Sequence, residues 1–181
     1  MSDPVETVVQ ERLSPWTGAL GKDLELYTNH VLRVLSLCDL LALGAGEPAP
    51  SSRAEYLTAA VFHDLGVWTA GTFDYLEPSE RLAEQWLTAH DGGAQIPLVI
   101  AMIDEHHRIR AARDPRPQVE IFRRADTIDA TAGARRFGVS RRDYRAIVRR
   151  YPSAGFYRRL ARLAADRARA HPLSPLPMVK W

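Results

Sequence analysis

Residues 60–66, AVFHDLG, place a histidine and an aspartate side by side at the end of an apolar run. Helical periodicity predicts that this run packs in the core, so His63 and Asp64 are expected to lie near the protein interior. A buried carboxylate requires a partner. The pair alone has an ordinary interpretation, since a protonated imidazole is favourable at the C-terminal end of a helix. Other residues of the chain are needed to distinguish a helix-capping role of His63 and Asp64 from a functional role.

Length and composition predict one domain. A chain of 181 residues, 46% hydrophobic, can bury one proper core and is too short for two full domains, so we expect a single domain over residues 1–181. The single cysteine, Cys38, excludes an internal disulfide, and residues 1–10 do not resemble a secretory signal. No apolar run has the length needed to span a membrane, so we expect a soluble cytoplasmic protein without a membrane partner.

The charges are distributed unevenly along the chain. Residues 1–100 hold 5 Lys and Arg against 14 Asp and Glu, whereas residues 101–181 hold 19 against 8. The ordinary interpretation of the basic half is a solvated or self-pairing helical surface. The basic half could also attract phosphate or nucleic acid. The sequence, however, lacks the interleaved aromatic residues and the recognisable modules that are typical of nucleic-acid-binding proteins.

The apolar periodicity is helical nearly everywhere and predicts an all-α fold. No alternating run of β-branched residues indicates a strand. Ser79 is a plausible N-cap for the helix that follows it, and the tail HPLSPLPMVKW, residues 171–181, is too proline-rich to be helical. The predicted helices are 5–13, 23–43, 53–65, 80–90, 95–109, 118–133, 140–150 and 153–170.

Further polar residues fall on the inward faces of these helices. His30 shares a face with apolar neighbours on the helix 23–43, and Asp126 and Asp129 lie within an apolar helix. Each has an ordinary alternative, because a lone buried histidine is usually just hydrogen-bonded and Asp126 could pair with an arginine. Together with His63 and Asp64, however, His30 and Asp126 form a mixed nitrogen and oxygen ligand set suited to Mn, Fe, Co, Ni, Zn or Mg.

Three short segments carry a resemblance to a known family. NHVLRV at 29–34, VFHDLG at 61–66 and RADTID at 124–129 resemble the H…HD…D signature of the HD-domain superfamily, a helical family of mostly phosphohydrolytic metalloenzymes. The resemblance covers about residues 20–135, and the arginine-rich C-terminal helices and tail, 136–181, lie outside it. It implies that one divalent metal is bound by four side chains, those of His30, His63, Asp64 and Asp126.

Some members of this superfamily bind a second metal through two additional histidines, for which the candidates here are His90 and the pair His106 and His107. His90 is a poor candidate, because in a hairpin of helices 80–90 and 95–109 it lies about 15 Å from His106. The start of the third helix faces His106 instead, and Glu77 stands there where dinuclear relatives often have a histidine. Glu77 could be an oxygen ligand, a general acid or base, or a first-turn acid stabilised by the helix dipole. We therefore expect one bound metal ion; a second ion is possible but is expected less strongly.

The resemblance implies metal-dependent hydrolysis of a small phosphate ester or nucleotide. Asp64 or a nearby acid would take the proton of the attacking water, and Glu77 and His106 are the further catalytic candidates. Guanidinium groups suit phosphate binding, and Arg33 and Arg108 are well placed by spacing. The aromatic residues Trp68 and Tyr75 could stack on a planar substrate, or could simply seal the core.

Two other functions remain open from the sequence. One is an HD-type di-iron oxygenase, or a lyase or hydratase, acting on a small molecule. The other is a non-catalytic regulatory or nucleic-acid-binding domain that keeps its metal for stability. Exposed apolar faces on the later helices would also permit a homodimer.

Overall fold

The computed structural model describes residues 3–46, 48–172 and 177–180, and the described chain is almost entirely helical. Within these residues no strand is present, and the all-α prediction is confirmed. The α-helices are α1 Pro4–Leu13, α2 Thr17–Leu20, α3 Leu24–Ala45, α4 Ala54–Phe62, α5 Gly66–Thr69, α6 Leu76–Ala89, α7 Ile96–Glu105, α8 Pro117–Ala130, α9 Arg141–Arg150 and α10 Phe156–Ala170.

Helices α3 and α8 form the centre of the bundle and pack along each other. Helix α3 is buried over most of its length, because apolar residues occupy several of its faces. The hydrophobic core continues from Val9 in α1 to Phe156 in α10. Polar residues of α3 and α8 that face one another therefore lie deep in the protein.

Helix α4 ends earlier than the sequence predicts. Its last residue is Phe62 rather than Leu65, and His63, Asp64 and Leu65 form a turn before the short helix α5. The sequence assigned residues 66–78 to a connecting loop, but α5 occupies its beginning. This turn directs the two polar side chains towards the α3–α8 contact.

Helix α6 begins at Leu76, four residues before the predicted start, so Ser79 is not its N-cap. Ser79 is buried inside the helix, and its Oγ accepts a hydrogen bond from the Gly66 amide at 3.0 Å. A Cβ on Gly66 would lie 2.5 Å from the Tyr75 carbonyl oxygen and 2.9 Å from Ser79 Oγ. Only glycine at position 66 therefore allows α5 and α6 to approach this closely.

The C-terminal part returns to the body of the protein. Ser140 caps α9 by accepting from the Asp143 amide, and α9 and α10 supply most of the exposed arginines. The Ile109 amide donates to the Lys180 carbonyl at 2.9 Å, which fixes residues 177–180 beside the turn after α7. The described residues of the tail contain no helix, as predicted, while residues 173–176 and 181 lie outside the described part of the chain.

One stretch, Pro4–Gly44, is long and apolar enough to cross a membrane by length and composition. The expectation that no apolar run is long enough to span a membrane is therefore wrong on length and composition alone. In its most apolar window 61% of the residues are buried inside the protein, as in the core helix of a soluble protein. The stretch is therefore weak support for a membrane span.

Candidate metal centre

Polar side chains from α3, from the turn after α4, from the turn after α7 and from α8 meet between α3 and α8. His30, His63 and His106 are fully buried, Asp64 is 4% exposed and Asp126 is 1% exposed. Such groups can be buried together only if each has a partner or a bound ion.

The four predicted ligands converge on one point. His30 Nε2 lies 2.9 Å from His63 Nε2, 3.6 Å from Asp64 Oδ2 and 3.7 Å from Asp126 Oδ1. His63 Nε2 lies 3.5 and 3.6 Å from the same two oxygens. A cation bound at about 2.1 Å by each ligand would place neighbouring ligand atoms about 3.0–3.4 Å apart. The spacing of the four atoms is close to that of a coordination shell.

Hydrogen bonds on the far side of each ring fix the histidine tautomers. The Nδ1–H group of His30 donates to Asp129 Oδ2 at 2.7 Å, and that of His63 donates to the Ala60 carbonyl at 2.8 Å. Both acceptors lack a proton to give, so in the neutral rings the Nε2 lone pairs face each other. Two lone pairs at 2.9 Å repel unless a proton or a metal ion lies near both.

A second group of metal-donor atoms lies beside the first. It consists of nitrogens of His106 and His107 and the remaining oxygens of Asp64 and Asp126. His106 Nε2 lies 3.3 Å from Asp64 Oδ1, and His107 Nδ1 lies 3.7 Å from Asp126 Oδ2. The Nδ1–H group of His106 donates to the Ile103 carbonyl at 2.6 Å, so its Nε2 lone pair also faces the cluster. Asp64 and Asp126 thus each direct one oxygen at His30 and His63 and the other at this second group.

Buried polar atoms without hydrogen-bond partners indicate whether these residues could bind a metal ion. Three buried atoms of the cluster have no hydrogen-bond partner among the described residues: Asp64 Oδ1, Asp126 Oδ2 and His106 Nε2. All three are acceptors in the neutral tautomers, and acceptors cannot satisfy one another. A divalent cation would satisfy them, and sets of three such residues lie with their ligand atoms within 4.8 Å of one another. The residues fit a metal ion.

The electrostatics of these side chains lead to the same conclusion. Burial would lower the pKa of His30, but its bonds to Asp129 and Asp64 outweigh burial and raise that pKa to about 9. Burial would raise the pKa of Asp126, but the surrounding histidines, His63 first, lower it to about 2. The carboxylates thus stay ionised and attract positive charge, which a divalent metal would supply in place of protons.

Asp129 makes contacts with the cluster that the sequence did not reveal. It accepts from His30 Nδ1 and also from Arg33, whose Nε and Nη2 atoms lie 2.7 and 2.9 Å from its two oxygens. Arg33 is fully buried and donates its remaining bonds to the carbonyls of Tyr151 and Pro152. Arg33 therefore does not face a substrate, contrary to the sequence prediction. It holds Asp129, which orients His30.

The structure does not bring Glu77 to the cluster either. The Glu77 side chain is 78% exposed and pairs with Arg81 on the outer face of α6. Its position in the first turn matches the helix-dipole alternative rather than a ligand or catalytic group. His90 is exposed and stacks on Trp86, as expected for a residue outside the site.

Arg108 also differs from its predicted role. Its side chain is 7% exposed and its Nε lies near the Ala111 carbonyl and Glu105, at 3.4 and 3.7 Å. It is absent from the described lining of the cavity beside the cluster. The structure therefore gives no support for its assignment to substrate binding.

Trp68 and Tyr75 do lie next to this cluster of candidate ligands. Both line a cavity of about 280 Å³ that also contacts Asp64, Asp126 and His107. The Tyr75 hydroxyl lies 2.6 Å from His107 Nε2. Burial and the charge of Asp64 raise the pKa of Tyr75 well above its usual value, so the phenol keeps its proton. The aromatic residues predicted to wall a pocket are in place to do so.

Comparison with known protein families agrees with this geometry. The family model of the HD domain matches residues 27–131, more than half of the chain, and this range includes every residue of both donor groups. The chain belongs to the HD domain family. HD domains are generally metal-dependent hydrolases of a phosphohydrolase-type superfamily, and they bind divalent metals. Searches of curated proteins and of solved structures found no match.

Proposed function

We propose that this protein is a metal-dependent hydrolase of phosphate esters, with His30, His63, Asp64 and Asp126 as the ligands of one divalent cation. The observation that carries the proposal is the convergence of four donor atoms: His30 Nε2 and His63 Nε2 lie 2.9 Å apart, and each lies 3.5–3.7 Å from Asp64 Oδ2 and Asp126 Oδ1. A structural ion-pair cluster would satisfy those atoms within the chain. Here Asp64 Oδ1, Asp126 Oδ2 and His106 Nε2 have no hydrogen-bond partner among the described residues, and family membership supports hydrolysis as the chemistry.

The bound metal would polarise a phosphoryl oxygen and lower the pKa of a coordinated water, which makes hydroxide available near neutral pH. In hydrolysis the water oxygen forms a new bond to phosphorus, the bond to the ester oxygen breaks, and the departing oxygen takes a proton. Tyr75 lines the cavity with its phenol protonated and can donate a hydrogen bond to a substrate oxygen. His107 Nε2–H, donating to the Tyr75 oxygen, would leave the Tyr75 proton free for this purpose.

The second donor group, His106 and His107 with the outer oxygens of Asp64 and Asp126, has two alternative roles. These residues would hold a second cation, which would supply further stabilisation of the charge on the phosphoryl oxygens. Alternatively, Asp64 Oδ1 and His106 Nε2 can accept the proton of the attacking water. The number of metal ions per chain separates the two roles.

The same arrangement favours one other function, that of a di-iron oxygenase. In the sequence this assignment is weakened because Glu77 replaces an expected histidine. In the structure the turn after α7 supplies two adjacent histidines instead, so a shortage of ligands no longer argues against it. Two irons per chain with a visible absorption band would support the oxygenase.

The experiment is purification without chelator, elemental analysis, and assay of a panel of phosphomonoesters and nucleotides. We expect at least one divalent metal per chain and metal-dependent phosphate release by the wild type. Asp64→Asn should lose at least about 100-fold in rate, since removing even an indirect partner of a metal ligand costs 10–100-fold.

The matched control is Asp74→Asn, the same substitution at an exposed aspartate of the loop before α6. It should keep both metal and rate. If the wild type holds metal but releases no phosphate from any ester, the phosphohydrolase proposal is refuted, and oxygenase assays with the iron-loaded protein follow.

A further inference from the structure

The cavity beside the metal centre has an uneven distribution of polar groups. Asp64, Asp126 and His107 lie at one end, together with the Tyr75 hydroxyl. The other described residues of the lining are apolar or aromatic. A substrate that reacts at the cluster must therefore place the rest of its structure, or a large part of it, against these apolar walls.

Aromatic rings form a large part of those walls. Trp68, Phe73 and Tyr75 come from α5 and the loop that follows it, and Phe156 comes from the start of α10. The indole Nε1–H group of Trp68 is bonded to Asp23 Oδ2 at 3.0 Å, so its one polar atom is already satisfied. Phe156 stacks on His30 with ring centroids 4.2 Å apart, which joins the aromatic wall directly to the metal centre.

Aliphatic side chains complete the enclosure. Val67 lies on α5, Leu160 lies on α10, and Met178 and Val179 belong to the described C-terminal segment 177–180. Met178 is only 4% exposed and belongs to a small hydrophobic cluster with Val67 and Tyr75. These walls can exclude water from a bound apolar group.

No positively charged arginine or lysine side chain contacts the described part of the cavity. Among the described lining residues there is no arginine or lysine, although the second half of the chain is rich in arginine. The buried Arg33 and Arg123 are engaged by Asp129 and Glu120. Polyphosphates and sugar phosphates carry several charged or hydroxyl groups, which this wall would leave without partners.

From these observations we infer that the cavity binds an uncharged, apolar organic group of the substrate, about the size of a substituted aromatic ring. A dry apolar cavity of about 150 Å³ binds benzene, so a cavity of about 280 Å³ accommodates such a ring with its substituents. This inference depends on the proposed function in one respect only, namely that the reacting ester lies at the metal centre.

The charged phosphate of the substrate would then lie beside Asp64 and Asp126, and its apolar group would occupy the cavity.

The first test compares matched phosphate esters on the metal-loaded wild type. We expect kcat/KM for 1-naphthyl phosphate to exceed that for glycerol phosphate or adenosine monophosphate by at least about tenfold, because a site of this kind leaves buried hydroxyl groups unpaired. Equal values, or a preference for the nucleotide, would overturn the inference while leaving the hydrolase proposal intact.

The second test measures binding without catalysis. Calorimetric titration with 1-naphthol should show saturable binding to the wild type and at least tenfold weaker binding to Leu160→Trp, which fills the cavity. The control Leu82→Trp changes a half-buried leucine on α6, outside the cavity, and should bind as the wild type does. Because Leu160→Trp could disturb folding, Leu160→Arg serves as a second variant with the same expectation, and unchanged circular dichroism is required of each.

The two tests distinguish the failure of each proposal. If no phosphate ester is hydrolysed but 1-naphthol binds the wild type and not the Leu160 variants, the apolar site is supported and the proposed reaction fails. If 1-naphthol does not bind, or binds equally to the folded Leu160 variants, the apolar site is refuted whatever the protein hydrolyses.

Discussion

Asp126 and Asp129 lie one turn apart on α8, both are buried, and they have opposite surroundings. Asp129 is bound by Arg33 through two hydrogen bonds and by His30 through a third. Asp126 lies 3.6–3.7 Å from imidazole nitrogens of His30, His63 and His107, and its Oδ2 has no hydrogen-bond partner among the described residues. The chain therefore neutralises one carboxylate with its own cation and leaves the other for a cation from solution.

This difference assigns separate roles to the two residues. Asp129 is a positioning residue, because it orients His30 and anchors α3 to α8. Asp126 is a ligand in the proposed metal centre. The experiments below test this contrast by removing each charge in turn.

The largest effect is expected for Asp126→Asn. Without this carboxylate the cluster loses charge and a donor atom to both groups, so metal-dependent activity should fall to the uncatalysed background. Metal content after dialysis and the rate with the best ester measure the outcome. Retention of a full complement of metal by this variant would show that Asp126 is not a ligand.

Asp129→Asn should act mainly on stability. It leaves the buried Arg33 without a counter-charge, which costs about 3–5 kcal/mol of unfolding free energy. Metal affinity should fall 10–100-fold through the loosened His30. Urea unfolding of the metal-free proteins provides the measurement, and Asp126→Asn should lose less stability there than Asp129→Asn does.

A double variant sharpens the same contrast. Adding Arg33→Met to Asp129→Asn removes the unpaired cation and should restore part of the lost stability without restoring metal affinity. A double variant as unstable as Asp129→Asn alone would mean that the arginine is not the source of the cost.

Glu120, also on α8, provides a more exposed example of a carboxylate neutralised by arginine. Burial would raise its pKa, but Arg123, the Ala112 amide and Arg124 lower it to about 2. Because the folded-state pKa lies below the ordinary value, this group stabilises the fold above about pH 4.5 and loses that contribution as the pH falls towards 2. Glu120→Gln should therefore cost about 1–2 kcal/mol at pH 7 and less at pH 3. An equal cost at both pH values in urea unfolding would refute this account of Glu120.

The smallest effect is expected for Glu77→Gln. Its side chain is exposed and its partner Arg81 lies on the same outer face, so stability should change by less than about 0.5 kcal/mol. Activity should stay within twofold of the wild type. A loss of tenfold or more in kcat would return Glu77 to the catalytic group.

The sequence predicted the fold and the convergence of four side chains because both depend on local periodicity and on the spacing of a known signature. It could not place Asp129 against Arg33, because that contact depends on how α3 packs on α8. Arg33 was for this reason mistaken for a substrate ligand.

The positions of Glu77 and of the histidine pair depend on where two helices begin and end. Helix α6 begins four residues earlier than predicted, which places Glu77 on its outer face. Helix α7 ends at Glu105 rather than at residue 109, so His106 and His107 lie in a turn and both reach the cluster. Periodicity alone does not fix such boundaries.

The most direct test of the central claim is the anomalous diffraction signal from crystals of the protein grown with Mn²⁺. The proposed metal centre predicts a peak within bonding distance of His30 Nε2, His63 Nε2, Asp64 and Asp126, and no peak at Asp129. Ordered manganese elsewhere on the protein, with none at this cluster, would contradict it.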